Sequence, residues 1–403
     1  KQSILKEAKP VVSNASVELS KDMQSQEVAG KEADESFING QTKFALELFQ
    51  NVVNADEENK NIMISPYSVV QALGMTANGA NGETKSQIEQ TIGSMPIEDL
   101  NQYLYTQRNS QPNEEKCKLL TANSIWIRDD IQRIQVKEDF LQTNADYYNA
   151  SVFKAPFDTS TAIDINHWVN KNTDTMIPKV LNEDEKINDD ILMYLINAVA
   201  FDAEWLSTYW EDDIWEETFT TADGSEQIVE MMHSEEYCYL EDETATGFFK
   251  YYKGGRYAFL ALLPNEDISV TDYVNDLTPE YFQNLFAYKD NYAEIADVAI
   301  PKFKYDYQVS LKETLCAMGM PVAFSDFADF SGITETTSRK LGDVSHITFI
   351  DVSEKGTRAA AVTIIPDAPT AVAPPQKSVM LDRPFVYSIV DTENNLPIFL
   401  GVL

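Results

Sequence analysis

A run of small side chains near the end of the chain is the feature that most restricts its chemistry. Residues 353–363 read SEKGTRAAAVT, in which a charged pair, a glycine and a threonine lead towards three alanines. Side chains of this size can enter an existing β-sheet as a further strand without clashing with their neighbours. Residues 364–378 contain four prolines, which lack the backbone N–H that a central strand needs. The sequence therefore predicts an insertable strand that runs directly into an exposed loop.

Residue combinations that would indicate an enzyme are missing. The chain has three histidines, His167, His233 and His346, and contains no HExxH, CxxC or GxSxG motif. The glycine-rich segment 78–83 lacks the Lys-Ser/Thr of a phosphate loop, and the acidic segment 182–190 lacks the central glycine and terminal glutamate of an EF-hand. We therefore expect a protein that is not an enzyme and has no cofactor and no metal site.

Composition indicates a large acidic domain. Hydrophobic residues make up 43% of the 403 residues, and no repeat or linker divides 37–403, so this part is predicted to be one domain. Acidic residues number 65 against 31 basic ones, for a formal net charge of −34. This charge disfavours nucleic acid and anionic membranes as partners, and no basic cluster indicates a heparin site. The charge would steer cationic proteins to the surface, although on this ground alone solubility is the simpler explanation.

The first residues and the cysteines bear on where the protein works. Residues 1–36 are polar with scattered charge and are predicted to be a disordered tether. The chain does not begin with methionine and has no apolar run of membrane-spanning length, so we expect a trimmed, secreted or cell-surface protein. Three cysteines argue against a disulfide framework. Glycosylation sequons begin at Asn14 and Asn149.

Hydrophobic periodicity predicts more helices in the first half of the chain and more strands in the second. Apolar spacing, or a serine cap followed by proline, predicts helices over 44–52, from Ser65-Pro66, over 83–92 and over 162–173. Continuous apolar runs predict buried strands over 119–127, 191–201, 256–263, 347–352, 385–390 and 398–403. This distribution indicates the α+β class.

The run EKGTRAAA at 354–361 resembles the hinge of the serpins, which follows the pattern Glu-x-Gly-Thr-x-Ala-Ala-Ala. Further segments resemble this family and occur in the family's order. They are NIMISPYS at 61–68, ANGET at 80–84, ANSIW at 122–126, INHWV at 165–169, the stretch 197–205, IPKF at 300–303, His346, and PIFLG at 397–401. The resemblance covers residues 37–402, and so many motifs in order are far more specific than any one of them.

The resemblance implies an α+β fold with three β-sheets, about eight or nine helices and an exposed reactive centre loop. It also implies an inhibitor of serine proteases. In this family the target protease attacks the loop and forms an acyl-enzyme, after which the cut loop inserts as a new strand of the main sheet. Insertion drags the protease to the far end of the molecule and distorts its active site, so that the covalent complex persists.

The family's spacing between hinge and scissile residue implies where the loop is cut. Counting 16 residues on from Glu354 gives Thr370, followed by Ala371. The rest of the loop is a few residues longer than usual, so Val372 and Ala373 remain alternatives. All four candidates are small or β-branched, which suits an elastase-like primary pocket, whereas a trypsin-like pocket would lose its charge partner.

The resemblance also implies three groups of residues that control strand insertion. The hinge consists of Glu354, Gly356, Thr357, Ala359, Ala360, Ala361 and Thr363. The shutter, a hydrogen-bonded polar cluster under the main sheet, consists of Ser65, Ser68, Asn197 and His346. The breach, where the loop first enters the sheet, consists of Trp205 and an ion pair between Lys302 and Glu354.

Three functions stay open at this point. The leading prediction is a monomeric inhibitory serpin whose target is a cationic, elastase-like serine protease. A non-inhibitory serpin, a carrier or chaperone whose loop is only cleaved, is the alternative, although the bulky or charged hinge residues that would favour it are absent except for Arg358. The third is a secreted binding or surface protein that shares only the fold.

Overall fold

The computed structural model describes residues 15–58, 61–129, 134–184, 186–189, 191–335, 340–357 and 377–403. Within these ranges the chain forms nine α-helices and three β-sheets, which confirms the α+β prediction. The helices are α1 (Glu35–Ala55), α2 (Pro66–Ala77), α3 (Gly82–Ile92), α4 (Ile97–Asn109), α5 (Glu138–Tyr148), α6 (Thr159–Asn172), α7 (Val270–Asp276), α8 (Pro279–Leu285) and α9 (Lys312–Met318).

The strands of the first half are β1 (Val17–Glu18), β2 (Ile62–Ile64), β3 (Asn113–Glu114), β4 (Cys117–Arg128), β5 (Ser151–Ala155), β6 (Met193–Glu204), β7 (Ile214–Thr220), β8 (Glu226–Glu236) and β9 (Tyr239–Glu241). Those of the second half are β10 (Ala245–Tyr251), β11 (Tyr257–Pro264), β12 (Ala296–Pro301), β13 (Phe303–Ser310), β14 (Leu341–Ser353), β15 (Gly356–Thr357), β16 (Lys377–Met380), β17 (Val386–Asp391) and β18 (Leu396–Val402).

The main sheet has the strand order β1-β5-β4-β6-β15-β14-β13, and β3 pairs with β4. At its centre β6 and β14 are parallel and pair directly, from Met193 beside Leu341 to Ala200 beside Phe349. β4 is antiparallel to β6, and β13 is antiparallel to β14. A strand that entered the sheet between β6 and β14 would therefore have to break this direct pairing.

The chain also forms two smaller sheets. One has the order β2-β18-β17-β11-β10-β9, and every residue of β11, β17 and β18 is buried. This burial on both faces explains why these strands read as continuous apolar runs in the sequence. The other sheet has the order β16-β12-β8-β7 and leaves much of β7 and β8 exposed.

Helix α2 forms as the sequence predicts and is buried along its whole length. The Ser65 side chain accepts a hydrogen bond from the Ser68 N–H, and Pro66 occupies the first turn, where its missing N–H costs nothing. All twelve residues of α2 are buried, and the helix contacts β4, β6 and β18. It therefore lies between the main sheet and the smaller, buried sheet.

The N-terminal segment corrects one expectation. Residues 15–34 do not form a free tether, because β1 pairs with β5 and the Leu19 N–H donates to the Val152 carbonyl at 2.8 Å. The Gln26 N–H donates to the Asp146 carboxylate at 2.7 Å. α1 begins inside the predicted tether, since Asp34 caps it by accepting from the Phe37 N–H. Composition missed this because the segment is stabilised by contacts with the rest of the domain, namely these hydrogen bonds and the packing of its few apolar residues against the core.

No helix in the described ranges is both long enough and apolar enough to cross a membrane.

Candidate functional site

The first residues of the predicted hinge already lie inside the main sheet. β15 is antiparallel to both of its neighbours, with Gly356 between Glu204 and Ser353 and Thr357 between Ala203 and Val352. It occupies the end of the sheet where β6 and β14 no longer pair directly. The hinge is thus inserted by two residues at the mouth of the gap that a complete strand would fill.

Thr357 is fully buried, as a small inward-facing residue should be. Its exposed fraction is 0%, and its hydroxyl hydrogen-bonds the Tyr252 hydroxyl at 2.7 Å. Burial raises the pKa of Tyr252 well above its ordinary value, so this phenol stays protonated and available as a hydrogen-bond donor. A long or charged side chain at position 357 would meet this closed pocket.

Position 356 requires a glycine for two reasons, its backbone conformation and the lack of room for a side chain. Its φ of +150° lies outside the region that other residues adopt readily, and a Cβ atom here would be 2.1 Å from the Ala203 carbonyl oxygen. The hinge glycine therefore allows the chain to turn into the sheet between β6 and β14.

The predicted breach residues come together at the same end of the sheet. The Lys302 ammonium lies 3.1 Å from the Glu354 carboxylate and 3.5 Å from that of Glu230. Burial by itself would raise the pKa of Glu354. Hydrogen bonds from its own backbone and from Lys302, together with the positive charges of Lys302 and Lys355, outweigh burial and hold this pKa below its usual value. The start of the hinge is therefore held by an ion pair that is only partly exposed.

Trp205 anchors the backbone on which the hinge begins. Its indole Nε1–H donates to the Ser353 carbonyl at 2.8 Å, and its backbone N–H donates to the Lys355 carbonyl at 2.9 Å. The buried ring stacks on Tyr252 with centroids 4.5 Å apart. Trp205 thus connects the turn at 354–355 to the same aromatic side chain that receives Thr357.

The four predicted shutter residues form one hydrogen-bonded cluster, and all four have an exposed fraction of 0%. The Ser65 N–H donates to His346 Nε2 at 2.9 Å, while His346 Nδ1 hydrogen-bonds the Asn197 side-chain oxygen. The Asn197 amide donates to the Ser68 carbonyl at 2.9 Å. His346 therefore hydrogen-bonds both Ser65 and Asn197.

These bonds set the tautomer and charge of His346. Because Nε2 accepts from a backbone N–H, the ring proton lies on Nδ1 and is donated to Asn197. Burial lowers the pKa of His346 to about 3, and the hydrogen bond that the ring donates to Asn197 opposes part of this shift. The imidazole is thus neutral at physiological pH, and it joins β14 to both β6 and the start of α2.

Three residues that contact the shutter or the hinge were not predicted from the sequence. Asn123, opposite Asn197 on β4, accepts from the Asn197 amide and from the Ser68 hydroxyl at 3.5 Å. Gln71 on α2 accepts from the Asn123 amide at 3.4 Å, and Tyr252 receives Thr357. A polar residue within an apolar strand, as Asn123 is in ANSIW, was the only available indication.

The remaining hinge positions, Ala359, Ala360, Ala361 and Thr363, and the scissile candidates Thr370, Ala371, Val372 and Ala373 lie outside the described residues.

Comparison with known proteins identifies the family. The family model for serpins (serine protease inhibitors) matches residues 39–403, so the chain belongs to the serpin family. An uncharacterized serpin-like protein of Methanosarcina acetivorans is 30% identical over 372 residues, which cover 89% of this chain and 83% of the relative. Serpins are generally protease inhibitors rather than catalysts.

Solved serpin structures distinguish two conformational states. The thermophilic serpin tengpin in its native state is 45% identical, has a TM-score of 0.89, and is matched over 96% of this chain and 99% of its own. Tengpin in its latent state is 44% identical with a TM-score of 0.79, over 93% and 99%. A complex of thyroxine-binding globulin with thyroxine is 25% identical with a TM-score of 0.78, over 91% and 98%. The higher similarity to the native state agrees with the direct pairing of β6 and β14.

Proposed function

We propose that this serpin inhibits elastase-like serine proteases by covalent trapping, with insertion of its cleaved loop into the main sheet. The position of β15 is the observation that carries the proposal. Two hinge residues already pair with β6 and β14, and Thr357 is buried in the closed pocket at the start of the gap. Ala359, Ala361 and Thr363, which alternation would turn to the same side as Thr357, are also small.

The chemistry is the first half of ordinary peptide hydrolysis. The protease serine attacks the carbonyl carbon of Thr370, its proton passes to the protease histidine, and the Thr370–Ala371 C–N bond breaks as the new amine takes that proton. An ester then joins Thr370 to the protease. If the strand inserts before water attacks this ester, the protease active site is distorted and the ester remains; the serpin is therefore consumed with its target.

Loop composition supports the elastase-like specificity. Thr370, with Val372 and Ala373 as alternatives, offers a small or β-branched side chain to the primary pocket of the protease. A shallow pocket accepts such residues, whereas a deep acidic pocket would be left with an unpaired carboxylate. The net charge of −34 favours a cationic target, and we place the encounter outside the cell, with the serpin secreted or at the cell surface as a monomer.

Incubation with a cationic pancreatic-type elastase tests the proposal. We expect a denaturant-resistant complex whose mass is the sum of the protease and the chain cut at 370–373, with inhibition close to one to one. Trypsin should cut the protein without forming this complex. Peptide mapping of the released C-terminal fragment would identify the scissile bond.

A hinge variant separates trapping from cleavage. Thr357→Arg puts a charge into a fully buried position, at a cost of several kcal/mol (roughly 3–5). We expect this variant to be cut at the same bond but to release active elastase, while Thr357→Ser, which keeps the hydroxyl bonded to Tyr252, should inhibit as the parent does. If the parent itself is only cleaved, the non-inhibitory carrier or chaperone function takes the place of the inhibitory one.

A further inference from the structure

Exposed aromatic side chains are concentrated around one open cleft. Among the described residues, eight large hydrophobic side chains are exposed to solvent. Five of these eight line the cleft or lie beside it, namely Leu206, Trp210, Trp215, Tyr237 and Tyr292. Single exposed hydrophobic residues are common on protein surfaces, but a group rich in tryptophan and tyrosine is typical of a surface that contacts another protein.

The cleft lies between the segment that follows β6 and the end of β8, and its volume is about 450 Å³. Leu206, Tyr237 and Tyr292 line it with exposed fractions of 60%, 46% and 62%. The rings of Tyr237 and Tyr292 lie together, with centroids 6.0 Å apart. The cleft therefore has room for a long side chain of a partner protein, which would pack against exposed apolar groups.

Two tryptophans extend the apolar rim of the cleft. Trp215 on β7 stacks on the lining residue His233, with ring centroids 3.6 Å apart. The Trp210 N–H donates to the carboxylate of Asp213, another lining residue, at 2.9 Å. Burial lowers the pKa of His233, although three nearby carboxylates act in the opposite direction, so this ring is neutral at neutral pH.

The cleft is strongly acidic. The segments 206–217 and 230–243, which supply most of its lining, contain eleven Asp or Glu residues and no Lys or Arg, whereas the whole chain has 65 acidic residues in 403. The buried Lys250 ammonium is paired with Glu236, so Asp213 and Glu235 keep the net charge of the cleft negative. Carboxylates beside tyrosine rings attract a cation, and arginine fits best because its planar guanidinium both stacks on rings and bonds carboxylates.

The two ends of the loop flank the cleft. On one side, the Tyr209 N–H donates to the Glu354 carbonyl at the start of the hinge, at 3.0 Å. On the other side, Lys377, where the described chain resumes, lies in one row of the sheet with Ala296 and Glu236. Two strand spacings separate Lys377 from Glu236 by about 10 Å. Tyr209 and Glu236 both line the cleft, so a protease that attacks the loop is brought beside it.

We propose that this cleft and its aromatic rim are a docking surface for the target protease, apart from the loop that the protease cuts. A basic side chain of the protease, an arginine in the best case, packs against Tyr237 and Tyr292 and faces the carboxylates of Asp213 and Glu235. The surface rests on the proposed function, because its partner is the protease that attacks the loop.

The second-order rate constant for cutting the intact chain by a cationic pancreatic-type elastase tests this surface. It is measured from the loss of uncut chain, so it can be obtained whether the protease is afterwards trapped or released. Trapping without an effect of the surface, or an effect of the surface without trapping, therefore tells the two proposals apart.

Two matched pairs of variants assign the effect to the cleft. Glu235→Gln and Glu226→Gln each remove one negative charge from an exposed position of β8, at places about 30 Å apart along the strand. We expect Glu235→Gln to slow cutting about threefold and to weaken its dependence on salt, while Glu226→Gln cuts as the parent does. The pair therefore separates docking at the cleft from general attraction by the net charge.

The second pair tests the aromatic contacts. Tyr237→Ala should slow cutting roughly fivefold or more, because exposed tyrosines at a contact surface often contribute much of its affinity. Phe327→Ala removes an aromatic ring that is 88% exposed elsewhere on the molecule and should leave the rate unchanged. Equal rates within either pair would overturn the docking surface. A parent chain that the elastase does not cut would overturn both proposals.

Discussion

At the scale of single residues, the polar side chains under the main sheet do what packed aliphatic side chains could not. Ser65, Asn197 and His346 satisfy one another while the sheet is closed, because buried polar groups need partners. The same groups can find new partners when β6 and β14 separate, whereas an interlocked apolar cluster would simply lose its contacts. The cluster therefore stabilises the closed sheet without excluding the open one.

Neutral His346 makes the closed sheet sensitive to acid. Its pKa is about 3 in the folded protein and 6.5 in the reference state, so the unfolded chain binds the proton more readily. The stabilisation is complete above pH 6.5 and is lost as the pH falls towards 3, at about 1.4 kcal/mol per unit. His346→Gln, which can donate to Asn197 and accept from Ser65, should show a shallower loss of unfolding free energy between pH 6.5 and 5. His167→Gln, on α6, is the control, and equal slopes in the two variants would contradict the role of His346.

Lys302 should hold the hinge at its starting point. Lys302→Ala leaves the Glu354 carboxylate without the ammonium that lies 3.1 Å away, and we expect a loss of about 1 kcal/mol because both groups are partly exposed. The expected result is more latent or polymerised protein after mild heating, measured by native gel and residual inhibition. Lys304→Ala removes a neighbouring, more exposed pair with Asp351 and should behave as the parent. If both variants form the same amount of polymer, the ion pair with Glu354 does not restrain the hinge.

At the scale of elements, the short strands matter more than their length suggests. β15 has two residues yet separates β6 from β14 at one end of the sheet. β1 also has two residues and covers β5, which would otherwise be an edge strand. Unpaired strand edges invite pairing with other chains, so β1 protects one side of the main sheet from self-association.

A proline in the N-terminal segment should weaken this protection. Leu19→Pro removes the N–H that donates to the Val152 carbonyl at 2.8 Å, which should cost about 1 kcal/mol. We expect a lower thermal midpoint and more light scattering during heating. Glu27→Pro, at an exposed position of the same segment, should change neither. Identical behaviour of the two variants would show that β1 adds nothing to the stability of the sheet.

At the scale of the whole molecule, the direct pairing of β6 and β14 is the feature that cleavage should change. The closed sheet has room at its centre for one further strand only if this parallel pair separates, and parallel pairs are slightly less stable per residue than antiparallel ones. An inserted hinge would be antiparallel to both neighbours, as β15 already is. The native sheet is therefore expected to be metastable with respect to the inserted one.

Cleavage should consequently raise the thermal midpoint. About ten inserted residues at about 1 kcal/mol per new hydrogen bond would add roughly 10 kcal/mol of stability, although Pro366 removes one bond late in the strand. Calorimetry of the protein before and after cutting in the loop measures this gain. Thr357→Arg cut at the same bond should gain little, and an unchanged midpoint for the cut parent would rule out insertion.

The sequence by itself determined the family, and the resemblance to that family predicted the strand that begins at the hinge and the residues of the shutter and breach. It could do so because these features depend on local chemistry: a glycine at φ +150°, a threonine small enough for a closed pocket, and a serine followed by proline at the start of α2. Each requirement restricts the residue type at its own position and is therefore visible in one sequence.

Only the tertiary structure decided which side chains complete these sites. Tyr252 receives Thr357 from 105 positions away, and Asn123 and Gln71 extend the shutter across β4 and α2. The placement of residues 15–34 was likewise decided by contacts with the rest of the domain, among them the pairing of β1 with β5. Composition cannot report such contacts, because their energy comes from partners that the fold alone brings together.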